Sequence, residues 1–195
     1  MRRMIRIGTM LMAAGFLWTG CATLAPRKTN PELRLFMAAR KADFKGKSVL
    51  VFPFREPAYA AGKGQLAGRY CQEILIAGRG FRVVGQYLDS PWDRLGESEE
   101  ERIMAAVREG AAKGFDVVLL GEFTEYRFGS LNPSRVAVRL RLIDVATRVT
   151  RFFGENARQH AGKDPTYPLD TRLVQPAMPA DQLARQVLVE LLGTL

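Results

Sequence analysis

Histidine occurs once in this chain of 195 residues and cysteine only twice. That scarcity removes most metal and hydrolytic chemistry at the outset. Zinc sites recruit several histidines or cysteines, which His160, Cys21 and Cys71 do not supply. A histidine-based triad would have to use His160, expected in a loop after the last strand, and no serine or cysteine stands in a nucleophile turn. A run of about 20 apolar residues, as a membrane-spanning helix needs, is missing as well. The uncharged run Ile7 to Trp18 has 12 residues and would rise only about 18 Å as a helix. The sequence therefore predicts no catalytic residue, no metal and no cofactor.

What the N-terminus does have is a basic head (Arg2, Arg3, Arg6), that short apolar run, and small residues before a cysteine. This is the tripartite pattern of a secretion signal. Thr19-Gly20-Cys21 resembles the lipobox of bacterial lipoproteins, with Trp18 where a leucine is usual and Leu17 one step early. The resemblance implies that residues 1–20 are removed and that Cys21 is acylated, palmitate included. Two or more chains hold a protein stably at a bilayer, at about 0.8 kcal/mol per buried methylene. Ala22, not an acid, follows the cysteine, which by the same resemblance implies the periplasmic face of the outer membrane of a diderm bacterium.

The formal charge of +9 is unevenly placed. Residues 22–47 hold seven basic residues against Glu32 and Asp43, a net of +5, whereas residues 48–195 hold nineteen against eighteen, a net of +1. Basic residues beside a membrane attract anionic headgroups. A nucleic-acid binder would instead carry its basic stripe on the folded domain, so nucleic acid is excluded as a partner. With Cys21 acylated, Cys71 has no intrachain partner, and its place in an apolar helical stripe predicts a buried thiol.

In chain order, Asn30-Pro31 predicts the start of a short helix running to about Ala42, inside a basic linker over 21–47. Ser48 to Phe54 is a continuous β-branched and aromatic run, the pattern of a strand buried on both faces. Gln65 to Ala77 has a wide apolar stripe, closed by Gly78 and Gly80, and Phe81 to Val84 is a second strand. Ser98 with Glu101 forms a capping box ahead of a helix that Gly114 ends. A strand over Asp116 to Tyr126 follows, then alternating strands over 135–145 and about 148–158, a Pro-rich loop over 159–178, and a last helix opened by Pro179. The prediction over 48–195 is one α/β domain with a mixed five-stranded sheet in the order β-α-β-α-β-β-β-α.

Two stretches invite a functional reading. Gly62-Lys63-Gly64 through Gly68 has dinucleotide-type glycines, but it starts eight residues after Phe54, no acid follows Val84-Gly85-Gln86, and it lacks the Gly-Lys-Ser/Thr of a phosphate loop. The row Arg135, Arg139 and Arg141, joined by Arg151 on the next strand, points away from the core residues Val136, Val138, Leu140 and Leu142. It reads either as a docking face for an acidic partner or as a solvated face whose arginine stems cover apolar surface.

Val49-Leu50-Val51-Phe52-Pro53-Phe54, Phe81-Arg82-Val83-Val84, Gly114 to Phe123 and Val138 to Thr147 with its Asp144 turn resemble, in that order, the CsgG-like lipoproteins. These are curli secretion channel subunits and relatives, including the LpoB-type activators of penicillin-binding proteins, and the N-terminal domain of TolB is similar in pattern. The resemblance covers roughly 47–194 and implies a periplasmic α/β domain that acts by protein–protein contact. A curli-type pore would need two hairpins with strands of about 9–11 alternating residues. The connections at 127–134 and 159–178 do not provide them. The expectation is a membrane-tethered adaptor for an unidentified envelope protein, with a subunit of a homo-oligomeric export complex as the alternative.

Overall fold

The computed structural model describes residues 32–88, 98–128, 133–160 and 177–195. Cys21, the signal, the loop with Pro91 and Trp92 and most of the Pro-rich loop lie outside them. Six strands and three α-helices follow one another: β1 (Arg34–Met37), β2 (Ser48–Val51), α1 (Lys63–Gly78), β3 (Val83–Gln86), α2 (Glu99–Ala112), β4 (Val117–Arg127), β5 (Ser134–Asp144), β6 (Thr150–His160) and α3 (Ala180–Leu192). They build one mixed sheet in the order β1-β6-β5-β4-β2-β3. As predicted, β2 pairs in parallel with β3 and β4, and β4, β5 and β6 form an antiparallel meander.

The core lies on both sides of β2 and β4. On one face, α1 and α3 cover the sheet; all six stripe residues of α3, Leu183, Ala184, Val187, Leu188, Leu191 and Leu192, are buried there. Cys71 sits on α1 in the same core as a free cysteine, where burial pushes its thiol well up. On the other face α2 alone packs, through Ala106 and Val107, over Leu50, Phe52, Val118, Leu120 and Ile143. The alternation of β5 fits this plan, since Val136, Val138, Leu140 and Leu142 are fully buried toward α3. Beyond the footprint of α2, none of the described helices packs on the α2 face of the outer halves of β4, β5, β6 and β1.

The capping box is present as read: the Glu101 amide donates to Ser98 Oγ at 3.2 Å, and the Ser98 amide to Glu101 Oε2 at 3.1 Å. Ser98→Ala is expected to lower stability by about 1 kcal/mol, read as a shift in urea midpoint at unchanged slope.

The structure corrects the sequence at one element. The segment expected as a helix to Ala42 forms the edge strand β1 and a short 3₁₀ turn over Lys41–Phe44, so the sheet has six strands, not five. Leu33, Phe36 and Met37 satisfy a helical period, but β6 offers an open edge that β1 closes antiparallel. Gly154 makes the fit: a Cβ there would lie 3.0 Å from Leu35 Cδ2 and 2.9 Å from Leu191 Cδ1. Phe36 then stacks on Phe153, ring centroids 4.8 Å apart. Smaller shifts have local causes. Phe81 turns inward against Phe44 (5.3 Å), which starts β3 two residues late. The residue that closes α1 in the left-handed conformation is Arg79 (φ 51°), not a glycine. Arg148 (φ 59°), in the β5–β6 turn, is the other non-glycine residue with positive φ among those described. That conformation costs an ordinary residue about 1–2 kcal/mol.

Candidate functional site

The uncovered part of the sheet carries the predicted arginine row, and the neighbouring strands supply carboxylates for it. Register places Arg139 directly between Glu122 of β4 and Glu155 of β6, and its guanidinium reaches both, at 2.8 and 3.4 Å. Arg135 holds Glu125 at 2.7 Å and Glu32 at 3.1 Å. Burial would raise the Glu125 carboxyl, but hydrogen bonds from Arg135 and Arg127 outweigh it and hold the group below its usual range. Arg141 binds Glu99 at the start of α2 (2.6 Å) and lies over the Phe153 ring at 4.2 Å. Arg151 stands exposed on β6 and joins no ion pair among the described residues.

Three of the four arginines are therefore bound into a lattice of alternating charge. Each of these half-buried pairs still meets solvent and is worth about 1 kcal/mol or less, so the lattice aligns side chains more than it stabilises the fold. Its charge is balanced, which does not suit a face selected for net positive potential. Sequence reasoning missed the partners because Glu122, Glu125 and Glu155 become neighbours of the arginines only through strand register.

The rim of this face is β1. Leu35, Phe36 and Met37 are 41, 53 and 43 % exposed, on a strand at the edge of the sheet whose outer side pairs with no strand among the described residues. Such an edge is a template for pairing with another chain.

The glycine stretch that opens α1 is filled from within. The Gly62 amide donates to Glu56 Oε1 at 2.7 Å and the Gly64 amide donates to Glu56 Oε2, so a carboxylate stands where a nucleotide would place a phosphate. Gly64 is required by packing, since a Cβ would fall 2.0 Å from the Phe54 carbonyl oxygen. Gly46-Lys47-Ser48 is not a phosphate loop either, because it leads into a strand and its side chains are committed to Asp144 and Asp116. His160 closes β6 instead of lying in a loop, and its Nδ1 accepts the Met178 amide at 3.0 Å. No group of three His, Cys, Asp or Glu residues that would hold a metal occurs among the described residues. No helix there is long and apolar enough to cross a membrane.

No family model and no curated protein matches the chain. Solved structures do. The fold is similar to that of the PelC dodecamer of Paraburkholderia phytofirmans, with a TM-score of 0.60 at 16 % identity over 83 % of this chain and 94 % of that one. A point variant of the same PelC gives 0.58 at 17 % identity, over 83 and 96 %. The LpoB C-terminal domain of Salmonella enterica is more distant, at 0.38 and 18 % identity over 59 and 84 %. At these identities the likeness is one of fold alone.

One acid fixes the opposite end of the sheet. Asp144 accepts from Lys47 Nζ at 2.7 Å and from the Thr147 amide and hydroxyl at 3.0 and 2.9 Å. Burial would raise its carboxyl, but these partners outweigh it and lower the pKa from 3.8 to about 2. Because the folded value lies below the unfolded one, the carboxylate stabilises the fold above pH 4, by about 2 kcal/mol, and that contribution is lost as pH falls through 2. Urea midpoints of wild type and Asp144→Asn are expected to differ accordingly at pH 7 and to converge toward pH 2.

Proposed function

We propose that this chain is a lipoprotein tethered through Cys21 at the periplasmic face of the outer membrane, and that its domain works by protein contact without catalysis. Its first partner is further copies of itself. The observation that carries this reading is β1, an apolar edge strand with Leu35, Phe36 and Met37 exposed, placed just after the tether. An edge of this kind gains main-chain hydrogen bonds and apolar burial together when a second strand is added. A β1–β1 contact would close a dimer, whereas β1 against the far edge β3 would run head to tail and build a ring. The dodecameric state of the PelC with a similar fold supports the second arrangement. Kinship with the CsgG-like and LpoB-like lipoproteins, without a transmembrane pore, belongs to the same proposal.

A second reading, an adaptor that docks a different envelope protein, is favoured by the uncovered Arg–Glu lattice, which offers paired donors and acceptors to a polar partner. Tethering would raise the effective concentration of either partner.

The tether is tested with Cys21→Ala. The wild type is expected to pellet wholly with membranes and to release only in detergent, and the variant to stay soluble. A variant that still pellets would remove the lipid from the account. The mass of the complex released from gently solubilised envelopes separates the readings: multiples of this chain for self-assembly, one different protein for the adaptor.

A further inference from the structure

The end of the sheet where β2, β3 and β4 begin carries a different charge from the open face. Lys41, Lys45, Arg79, Arg82 and Arg148 lie in the segments entering β2 and β3 and in the β5–β6 turn. Backbone bonds bring these segments together. The Arg82 amide donates to the Lys47 carbonyl at 2.7 Å, the Lys41 stem lies against Gly80, and the Arg148 amide donates to the carbonyl of Asp144, whose carboxylate holds Lys47. The acids here already accept hydrogen bonds from the fold, although Asp43 and Asp116 are exposed and Asp116 also feels the charge of Arg82. Asp116 accepts the Ser48 amide and hydroxyl at 2.7 and 2.8 Å, Asp144 accepts Lys47 and Thr147, and Asp43 accepts the Arg40 amide at 2.9 Å. None of the five basic side chains forms an ion pair among the described residues.

A second observation is independent of charge. The non-glycine residues with positive φ among those described are Arg79 and Arg148, and both stand at this end. Glycine would make either turn with less strain, so the strained backbone carries a side chain that the turn itself does not need. A third concerns apolar surface. Ile76 in the last turn of α1, Val83 at the start of β3 and Val149 before β6 are 57, 47 and 46 % exposed at the same end. Arginine beside exposed aliphatic side chains is the composition of a protein-binding surface, and a polysaccharide chain would leave the aliphatic part unused.

We propose that this basic end binds an acidic segment of another envelope protein. The guanidiniums of Arg79, Arg82 and Arg148 pair with its carboxylates, and Ile76, Val83 and Val149 meet its apolar side chains. A bilayer is the poorer fit. Glu32 is held by Arg135 at the other end of β5, and β1 then runs toward the basic end. The ten residues between Cys21 and Glu32 reach at most about 35 Å, close to the length of an 11-residue strand, so the basic end would meet the lipid only with that linker at full stretch. That orientation rests on the tether reading given above; the choice of residues does not.

The test uses the full lipidated chain in phosphatidylcholine nanodiscs and a fluorescent poly-L-glutamate peptide. Binding is expected at low salt and to weaken as salt rises. The double variant Arg79→Gly/Arg148→Gly is expected to lose about tenfold in affinity while its Tm stays level or rises, because the strain is relieved. Phe36→Asp, which addresses self-assembly, is expected to leave peptide affinity unchanged, so failure of one reading is not failure of the other. Wild type that ignores the peptide, or a double variant that binds it as well as wild type does, would overturn the proposal. Capture of phosphatidylglycerol vesicles without the peptide would assign the surface to lipid, and tighter binding of polygalacturonate would assign it to an acidic polymer; either result also overturns it.

Discussion

Gly121→Val is expected to destabilise the domain by about 3 kcal/mol, among the largest effects of any single substitution here. Gly121 lies in β4, in the middle of the sheet, and a Cβ built on it would stand 2.4 Å from Phe54 Cζ and 2.5 Å from two further ring atoms. The ring has no room to retreat. Phe54 is 1 % exposed, its ring packs on Phe123 at 5.8 Å, and its amide donates to the Gly64 carbonyl at 3.0 Å. Arg55 also binds the Gly121 carbonyl at 2.9 Å, so the strand cannot shift away without losing that bond. Urea unfolding gives the value directly, and a Gly121→Val protein within 0.5 kcal/mol of wild type would show the packing to be wrong. Gly78→Ala is the control. It ends α1 with nothing within 4 Å of the added methyl, and it is expected to be neutral or stabilising by up to about 1 kcal/mol.

Under the self-assembly proposal, Phe36→Asp is expected to convert the assembly to monomer, a change of at least tenfold in the dissociation constant. The substitution sets a charge on the exposed edge strand, where a pairing partner would have to bury it. Charged residues on edge strands are a device by which proteins block such pairing. Its effect on folding is small by comparison. Phe36 is 53 % exposed and loses one stacked contact with Phe153, so a cost of about 1 kcal/mol is expected. Sedimentation in mild detergent separates the two effects, because a folded monomer and an unfolded chain differ in shape and in far-UV circular dichroism. A Phe36→Asp protein that keeps the wild-type mass would place the contact elsewhere.

Much of the fold is legible in the sequence because its determinants are local. The apolar run of β2, the stripe of α3, the Ser98–Glu101 box and the alternation of β5 each follow from period and capping, and each is found near its expected place, with β2 ending at Val51, three residues before Phe54. What escapes is what other parts of the chain decide. β1 has a helical period, and only the open edge of β6 with its Gly154 makes it a strand. Glu56 caps α1 from eight residues ahead of Gly64, a span with no sequence signature.

The candidate site divides in the same way. Its arginines are visible as an alternating row, but Glu122 and Glu155 are assigned to Arg139 by register alone, which turns an apparent basic face into a balanced lattice. The basic end is assembled from segments distant in the chain, and Arg79 and Arg148 show nothing unusual until their φ angles are known.

The central claim, a tethered domain that works first by contact with its own copies, is tested most directly by placing a photo-crosslinking amino acid at position 36 in the lipidated chain in intact envelopes. The account predicts adducts at multiples of the chain's own mass, which peptide mapping identifies as this chain joined through β1. Adducts with a different protein, or none with any, would contradict it.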